Sequence, residues 1–241
     1  MSKEKNGHAI LGRGLMELTV TEACFRLARP DTLAVDIGAN IGHMTSALAH
    51  AMGSGRVRSY EPHPLLFSFL QENGQRLRKE VTEITLELCD SAISEKSGDS
   101  TLYVSSQWDN NAGVASLQES EEAETVSVNT SRLDDEVREV IQVLKLDVEG
   151  FEEKVLKGAE KHIRNKTIRH IIFEEQNVKN SGVVQRLSES DYRIFAIEKH
   201  LSGPRLTRKY PEGAYNFIAT AVPEECTDSF ESRGWRCLRK A

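Results

Sequence analysis

A short apolar segment that runs directly into a glycine turn is the feature that most limits how this chain folds. The segment carries Asp36 near its end and leads into Gly38 and Gly42. Glycine lets the backbone pass close to a ligand, and the helix expected to begin near Ile41 directs its unpaired N–H groups to the same place. Glu61, about twenty residues further on, is placed to accept hydrogen bonds from a ribose diol. The pattern predicts an α/β fold with a nucleotide-like cofactor.

The spacing of the glycines bears on which cofactor fits. A dinucleotide fingerprint requires glycine where this chain has Asn40 and His43, so a pyrophosphate would be poorly accommodated. The other features suit a ligand with a ribose and an adenine but no phosphate, such as S-adenosylmethionine, whose charged amino acid end would lie against the turn and Asp36. A dinucleotide site and an α/β turn that binds nothing remain as alternatives.

Length and composition favour a single domain. A chain of 241 residues and 27.0 kDa is long enough to bury a sizeable core. We divide it into an N-terminal helical segment (1–30), a core (31–221) and a C-terminal tail (222–241). The formal charge of -6 and the pI near 5.7 disfavour nucleic acid as a partner. The four cysteines form no CxxC pair and the histidines complete no metal cluster with them, so we expect no metal site there.

Targeting and membrane signals are not visible in the sequence. Residues 1–7 are polar and charged, and no apolar run is long enough to span a bilayer. The sequence therefore predicts a cytoplasmic protein without a membrane span, and it leaves the oligomeric state open.

Strand and helix patterns alternate along most of the chain. Such alternation implies right-handed crossovers and a mostly parallel sheet with helices on both faces. Apolar runs and helical periodicity give the bounds of these elements. The expected strands are 33–37, 56–60, 84–89, 141–148 and 168–173, and the expected helices are 15–29, 41–52, 64–79, 151–163 and 183–190.

Two regions depart from that alternation. Residues 101–104 and 125–129 resemble short strands around a polar loop, 105–124, whose acidic run is interpreted as a solvated surface. Near the end, residues 192–197 and 214–221 resemble two strands joined by a loop around Gly203. A terminal antiparallel pair on a parallel sheet gives a mixed α/β arrangement.

Acidic residues gather where the predicted strands end. In open α/β sheets ligands bind at the carboxyl ends of the strands, so these residues are expected to meet at one rim of the sheet. The acids at the strand ends are Asp36, Glu61, Asp90, Asp147, Glu149, Glu174 and Glu175.

The order and spacing of several motifs resemble those of the FkbM-type S-adenosylmethionine-dependent methyltransferases. The match runs from about Leu33 to Glu175. The segment from Asp147 to Glu152 is its most family-specific part, whereas the glycine turn alone fits many class I methyltransferases. The matching stretches are VDIGANIG (35–42), EPHP (61–64) followed by Phe67, Leu70 and Asn73, AIS (92–94), LD (133–134), KLDVEGFE (145–152) and IIFE (171–174).

The resemblance implies a class I methyltransferase fold, which is a Rossmann-like, mostly parallel seven-stranded sheet with a terminal antiparallel strand pair. It also implies S-adenosylmethionine as the cofactor and methylation of an oxygen, usually a hydroxyl on a secondary metabolite, a sugar or a lipid-like molecule. The cofactor-binding residues that it implies are Asp36, Gly38, Ala39, Asn40 and Gly42 at the amino acid part, Glu61 and Pro62 at the ribose, Asp90, Ser91 and Ala92 at the adenine, and Asp147 nearby.

Each of these assignments has a structural alternative. Asp36 would then hold the turn, the glycines would serve close packing of helix on strand, and Asp90 would cap a turn. Phe67 and Leu70 are interpreted as core residues because their spacing places them on one helix face.

Methyl transfer to a hydroxyl requires a near-attack geometry and removal of a proton. Asp147 and Glu149 would point the same way if the strand continued through them. We assign Glu149 as the candidate general base and Asp147 as a catalytic residue nearer the cofactor; alternatively, Glu149 stabilises the dipole of the following helix. A Mg²⁺ site at this acidic rim is an alternative that we do not favour. Further candidates for substrate binding are His43, which is also a rival base, Glu174, Glu175, Asn110 and Asn111.

The sequence thus predicts a methyltransferase that acts on a hydroxyl of a small molecule. A second hypothesis keeps the fold and cofactor but moves the acceptor to nitrogen or to a peptide- or carrier-bound group. A hypothesis of another class is a partner subunit that binds the cofactor without catalysis. A dinucleotide oxidoreductase comes third, because Asn40 and His43 weaken it.

Overall fold

Two sheets make up the described part of the fold, one of eight strands and one of four. The computed structural model describes residues 17–104, 115–116, 124–148 and 150–238. The strands are β1 (Thr32–Ile37), β2 (Ser54–Tyr60), β3 (Glu83–Cys89), β4 (Ser91–Ile93), β5 (Gly98–Val104), β6 (Ala115–Ser116), β7 (Glu124–Ser131), β8 (Ile141–Leu146), β9 (Ile168–Glu174), β10 (Arg193–His200), β11 (Gly203–Thr207) and β12 (Asn216–Thr220). The α-helices are α1 (Leu18–Leu27), α2 (His43–Met52), α3 (Pro64–Glu80), α4 (Leu133–Glu136), α5 (Glu152–Gly158), α6 (Glu160–Arg164), α7 (Gly182–Glu189) and α8 (Pro223–Glu231).

The large sheet has the strand order β11-β10-β12-β9-β8-β1-β2-β3. Strands β9, β8, β1, β2 and β3 are parallel, and β12 is antiparallel to both β9 and β10. The predicted mostly parallel sheet with a terminal antiparallel pair is therefore confirmed. The order changes direction between β1 and β8, and the carboxyl ends of these two strands lie side by side at that point.

The strand count differs from the predicted seven because residues 203–207 form a strand rather than a loop. They pair with β10 as an antiparallel hairpin at the edge of the sheet. Gly203 has φ +110, which favours glycine, and Pro204 is tolerated because an edge strand has unpaired N–H positions. Glycine and proline, which suggested a loop in the sequence, here mark the start of an edge strand.

Helices cover both faces of the large sheet, as the alternation predicts. On one face Leu146 and Phe173 pack against residues of α5, α6 and α7. On the other face Val143 and Ile172 pack against α1, α2 and α8. Strand β8 is buried along its whole length because it is covered on both faces.

The helix predicted over 151–163 is in fact two helices, α5 and α6, that meet at Ala159. A Cβ at Gly158 would lie 2.0 Å from the carbonyl oxygen of Ser94, so this turn packs directly on the backbone next to β4. Helical periodicity in the sequence carries no sign of this contact, which explains why a single helix was expected.

The small sheet, with the order β4-β7-β5-β6, lies between β3 and β8 in the sequence. Pairing of β5 with β7 confirms the two short strands predicted there. Strand β4 was missed because three residues are too few for a periodic pattern. A separate cluster of Leu102, Val104 and Val128 forms the apolar centre of this sheet.

The longest of the helices within the described ranges, α3, has 17 residues. Not one of those helices combines the length and apolar character that crossing a membrane requires.

Candidate active site

The turn after β1 is held tightly against the two neighbouring strands. The backbone N–H groups of Gly38 and Ala39 both donate to the carbonyl of Tyr60, at 3.0 Å each. Gly38 has φ +80, and a Cβ there would lie only 1.8 Å from the carbonyl oxygen of Asp147. Glycine at position 38 is therefore required by the close approach of β1 and β8, whether or not a ligand also lies there.

The second half of the turn leads into α2. Asn40 adopts φ 52, a conformation that asparagine tolerates, and its Oδ1 accepts from the N–H of Ile41 at 2.8 Å. Gly42 has φ +92, and a Cβ there would lie 2.8 Å from Leu70 of α3. Asn73 of α3 donates to the carbonyl of Ile41 at 2.8 Å. The turn is thus pinned from α3 as well as from β2.

Glu61 closes the turn from the end of β2. Its side chain is buried, with Oε2 accepting from the N–H of Asn40 at 2.8 Å and Oε1 accepting from the N–H of His63 at 2.9 Å. Burial raises the pKa of Glu61 to about 7, although both backbone hydrogen bonds act to lower that pKa. A buried carboxyl with a displaced pKa at the rim of an open sheet is typical of a functional site.

Asp36 lies beneath the turn and is fully buried. Its Oδ2 accepts from the hydroxyl of Thr45 in α2 at 2.7 Å, and that hydroxyl is also 2.8 Å from the hydroxyl of Ser59. Its Oδ1 has no hydrogen-bond partner among the described residues. Burial raises the pKa of Asp36, and the ammonium of Lys145 opposes this rise. The geometry thus gives Asp36 a role in anchoring α2 to the turn.

Lys145, to which the sequence gave no role, lies at the centre of the acidic rim. It faces Asp36 in the register of β1 and β8, and its Nζ donates to Oδ2 of Asp147 at 2.7 Å. Burial lowers the pKa of Lys145, but the carboxylates of Asp147, Asp36 and Glu17 together raise it above its ordinary value. The sequence did contain a signal for Lys145, because a lysine stands between apolar residues near the end of a buried strand.

Polar residues from three further elements reach the same side of the sheet. Asn216, at the start of β12, pairs in register with Glu174 at the end of β9, and its Nδ2 donates to the hydroxyl of Thr19 at 2.9 Å. His43, the first residue of α2, has Nε2 3.4 Å from the hydroxyl of Thr21. Helix α1 therefore places Thr19 next to Asn216 and Thr21 next to His43, with both threonines buried, and the sequence analysis singled out none of Thr19, Thr21 and Asn216.

The residues predicted at the adenine lie on the other side of Glu61. Asp90 is exposed just beyond β3, while Ser91 and Ala92 belong to β4 and pair with β7. Pro62 is half-buried next to Glu61. Glu175 follows β9, and its N–H donates to the carbonyl of Tyr215 at 2.9 Å.

The loop that follows Asp147 is capped from α5. Oε1 of Glu152 accepts from the N–H groups of Val148 and Gly150, both at 3.2 Å. The structural alternative for Glu149 was an acid that stabilises the dipole at the start of the following helix. Glu152 is an acid in the first turn of that helix, α5. Three predicted site residues lie outside the described ranges: Glu149, Asn110 and Asn111.

Over residues 17–104, 115–116, 124–148 and 150–238, no group of three or more histidine, cysteine, aspartate or glutamate residues is arranged to hold a metal ion.

A protein-family model described as the methyltransferase FkbM domain matches residues 36–194. The chain belongs to this family. The matched part of the FkbM domain begins at Asp36 and contains the glycine turn, Glu61 and the Lys145–Asp147 pair. The family resemblance seen in the motifs is therefore confirmed.

The chain is similar to one relative by sequence and to one solved structure by fold. Methyltransferase 1 of Beauveria bassiana (strain ARSEF 2860) is 30% identical over 149 residues, which cover 53% of this chain and 58% of the relative. The crystal structure of methyltransferase FkbM from Methylobacillus flagellatus KT matches with a TM-score of 0.52 and 18% identity, covering 79% of this chain and 43% of that chain. The structural match shows a shared fold. The chain spans little more than half of the first relative and less than half of the second.

Proposed function

We propose that this protein is an S-adenosylmethionine-dependent methyltransferase that methylates a hydroxyl of a small-molecule acceptor. The observation that carries the proposal is the glycine turn closed by the buried carboxyl of Glu61. Membership of the FkbM family supports the reaction class, and the polar residues on the α1 side of the sheet support an acceptor with hydrogen-bonding groups.

The residues at the turn fit the proposed cofactor. Each oxygen of Glu61 accepts one backbone N–H, which leaves further lone pairs for the two hydroxyls of a ribose. Gly38 lets the backbone of Asp147 lie against the turn, and Asp147 adds a carboxylate beside it. S-adenosylmethionine, when bound, supplies an electrophilic methyl group on a positively charged sulfur.

Side chains around the turn would orient the reactants and limit water. Helix α1 packs on the sheet with Val20, Cys24 and Leu27 fully buried, so this face of the site is covered. Correct placement of acceptor and methyl group at near-attack distance is worth up to about 7–11 kcal/mol. Thr19, Thr21 and Asn216 are proposed to contact the acceptor because they reach the rim from α1 and β12.

A hydroxyl acceptor must also lose its proton. We propose Glu149 as the base, because it follows Asp147 in the family motif, with His43 and Glu174 as the rival candidates at the described rim. A general base contributes about 10²–10⁴ in rate. Glu149→Gln should therefore lower turnover by that range while leaving cofactor affinity within about threefold, because the base contacts the acceptor. A small change in turnover would transfer the role to His43 or Glu174.

The proposal is tested first by calorimetry of cofactor binding. We expect micromolar binding of S-adenosylmethionine and S-adenosylhomocysteine and none of NAD. Glu61→Ala should weaken both at least about tenfold, since a hydrogen bond to a charged group contributes about 1.5–3 kcal/mol. Glu83→Ala, at an exposed acid on β3, is the matched control and should leave affinity unchanged.

Two outcomes would change the proposal. Binding of NAD alone would overturn the cofactor assignment and with it the function. Binding of S-adenosylmethionine without turnover on a panel of hydroxyl, amine and peptide acceptors would instead favour a partner subunit that binds the cofactor without catalysis.

A further inference from the structure

The proposed function assigns no role to Lys145, a buried charged residue at the site. Its side chain is 3% exposed, and it lies in β8, where apolar residues from both faces surround the strand. A buried ammonium is costly unless it is paired and hydrogen-bonded. Apolar residues fill most of this strand, so a lysine retained here has a reason other than packing.

The carboxylate of Asp147, which accepts a hydrogen bond from Lys145, lies beside the glycine turn. Nζ of Lys145 donates to Oδ2 of Asp147 at 2.7 Å. The N–H of Asp147 donates to the carbonyl of Ile37 at 3.1 Å, and its own carbonyl occupies the space that a Cβ at Gly38 would need. The backbone of Asp147 is therefore fixed against the turn, and Lys145 fixes its side chain.

Exposure differs sharply between the two partners. The side chain of Asp147 is 31% exposed, whereas that of Lys145 is almost fully enclosed. Asp36, which is fully buried on β1, faces Lys145 in register, and Glu17 adds a third carboxylate near the ammonium. The lysine thus acts from within the protein on a carboxylate that reaches the rim.

We propose that Lys145 is a positioning residue: it binds Oδ2 of Asp147 and so presents the other carboxylate oxygen, Oδ1, to the positively charged end of the cofactor. The inference rests on the proposed function. A pair with a purely structural role would stabilise the fold but would not couple to the affinity for the cofactor.

A double-mutant cycle on Lys145→Met and Asp147→Asn tests the inference, with calorimetric affinity for S-adenosylmethionine as the readout. Each single change should weaken binding about tenfold or more, as expected for loss of a hydrogen bond to a charged group. The double variant should be no weaker than Asp147→Asn alone, because Lys145 acts through Asp147. Lys145→Arg, which retains the charge and the donors, should stay within about threefold of the wild type.

Urea unfolding of the four proteins of the cycle (the wild type, the two single variants and the double variant) distinguishes failure of the positioning role from failure of the proposed function. The two substitutions could be coupled in the free energy of unfolding but additive in their effects on cofactor affinity. That result would overturn the positioning role, and Lys145 and Asp147 would then form a purely structural ion pair. A wild type that does not bind S-adenosylmethionine would overturn the proposed function instead. If Lys145→Met does not fold, Lys145→Leu replaces it in the cycle, since leucine also removes every N–H donor toward Asp147.

Discussion

Glu61 shows how one residue links the fold to the proposed chemistry. Its carboxylate joins the turn after β1 to the start of α3 through the N–H groups of Asn40 and His63. The same burial that makes these contacts possible raises its pKa to about 7. Near neutral pH the cofactor-free protein therefore contains both protonated and ionised forms of this residue.

That pKa predicts a pH dependence of cofactor binding. In the proposed site a ribose diol would donate to the ionised carboxylate, so binding would require release of the proton that Glu61 holds below pH 7. Affinity for S-adenosylmethionine should fall about tenfold between pH 8 and pH 6. Calorimetry in buffers of different ionisation enthalpy would detect the released proton.

Glu61→Gln is the control for this dependence. Glutamine does not titrate, so the variant should bind more weakly at pH 8 and lose the part of the pH dependence that Glu61 causes. His43 and His63 remain in both proteins, so their contribution cancels in the comparison. Identical pH profiles for the two proteins would show that titration of Glu61 does not control binding of the cofactor.

Gly38 gives a second prediction at the scale of one residue. In Gly38→Ala the new Cβ meets the carbonyl oxygen of Asp147, and φ +80 is unfavourable for alanine. Together these effects should cost about 2–5 kcal/mol of unfolding free energy, measured by urea denaturation. Gly53→Ala is the matched control, because Gly53 has φ +72 with nothing within 4 Å, and should cost only about 1–2 kcal/mol. Equal losses would mean that β1 and β8 separate easily.

At the scale of elements, a buried ion pair within α1 is linked to the C-terminal segment by further hydrogen bonds. Nε of Arg26 donates to Oε1 of Glu22 at 2.6 Å, and both side chains are fully buried. Arg26 also donates to the carbonyls of Ser229 and Gly234, while Glu22 accepts from the N–H of Cys237 at 2.9 Å. This network holds the helix that brings Thr19 and Thr21 to the site.

Arg26→Met should therefore destabilise the protein strongly. It leaves Glu22 buried without its partner, which costs about 3–5 kcal/mol. Arg76→Met removes an exposed pair of the same spacing, with Glu72 at 2.5 Å, and should cost less than about 1 kcal/mol. The double change Glu22→Leu with Arg26→Met should recover part of the loss, because no charge is then left buried. Chemical denaturation of the four proteins measures all of these differences, and similar losses for Arg26 and Arg76 would contradict the role of the buried pair.

At the scale of the whole molecule, the two sheets differ in the size of their apolar cores. The large sheet is buried between two extensive clusters, whereas the cluster of the small sheet consists of Leu102, Val104 and Val128 among the described residues, with Val126 packed against it. A small core gives a low free energy of local opening.

Hydrogen exchange should report this difference. Amide protons of β5 and β7 are expected to exchange through local opening at a lower free energy than those of β1 and β8, which should approach the global value. Mass spectrometry at increasing urea concentrations would distinguish the two groups. Equal free energies for both sheets would show that they unfold as one cooperative unit. Leu102→Ala, in the small sheet, should then destabilise the whole molecule as much as Leu144→Ala in β8.

The sequence by itself determined the fold class, the family and the order of the parallel strands along the chain. It extended β8 to residue 148, whereas the strand ends at Leu146. Apolar runs give the parallel strands because burial on both faces leaves little room for polar residues. The glycine turn and Glu61 are local signals, since conformation and spacing along the chain define them. Even positions 40 and 43 were informative, because asparagine and histidine in place of glycine argued against a pyrophosphate.

The tertiary structure alone decided which residues meet across the sheet. Lys145 faces Asp36 because of the register between β1 and β8, and Asn216 reaches Glu174 because β12 runs antiparallel to β9. Likewise, the close packing of Gly158, beside the break between α5 and α6, on the backbone of Ser94 joins residues far apart in the sequence. Periodicity describes only how a residue relates to its neighbours along the chain, whereas these contacts depend on strand order and register, which are set when distant segments pack together.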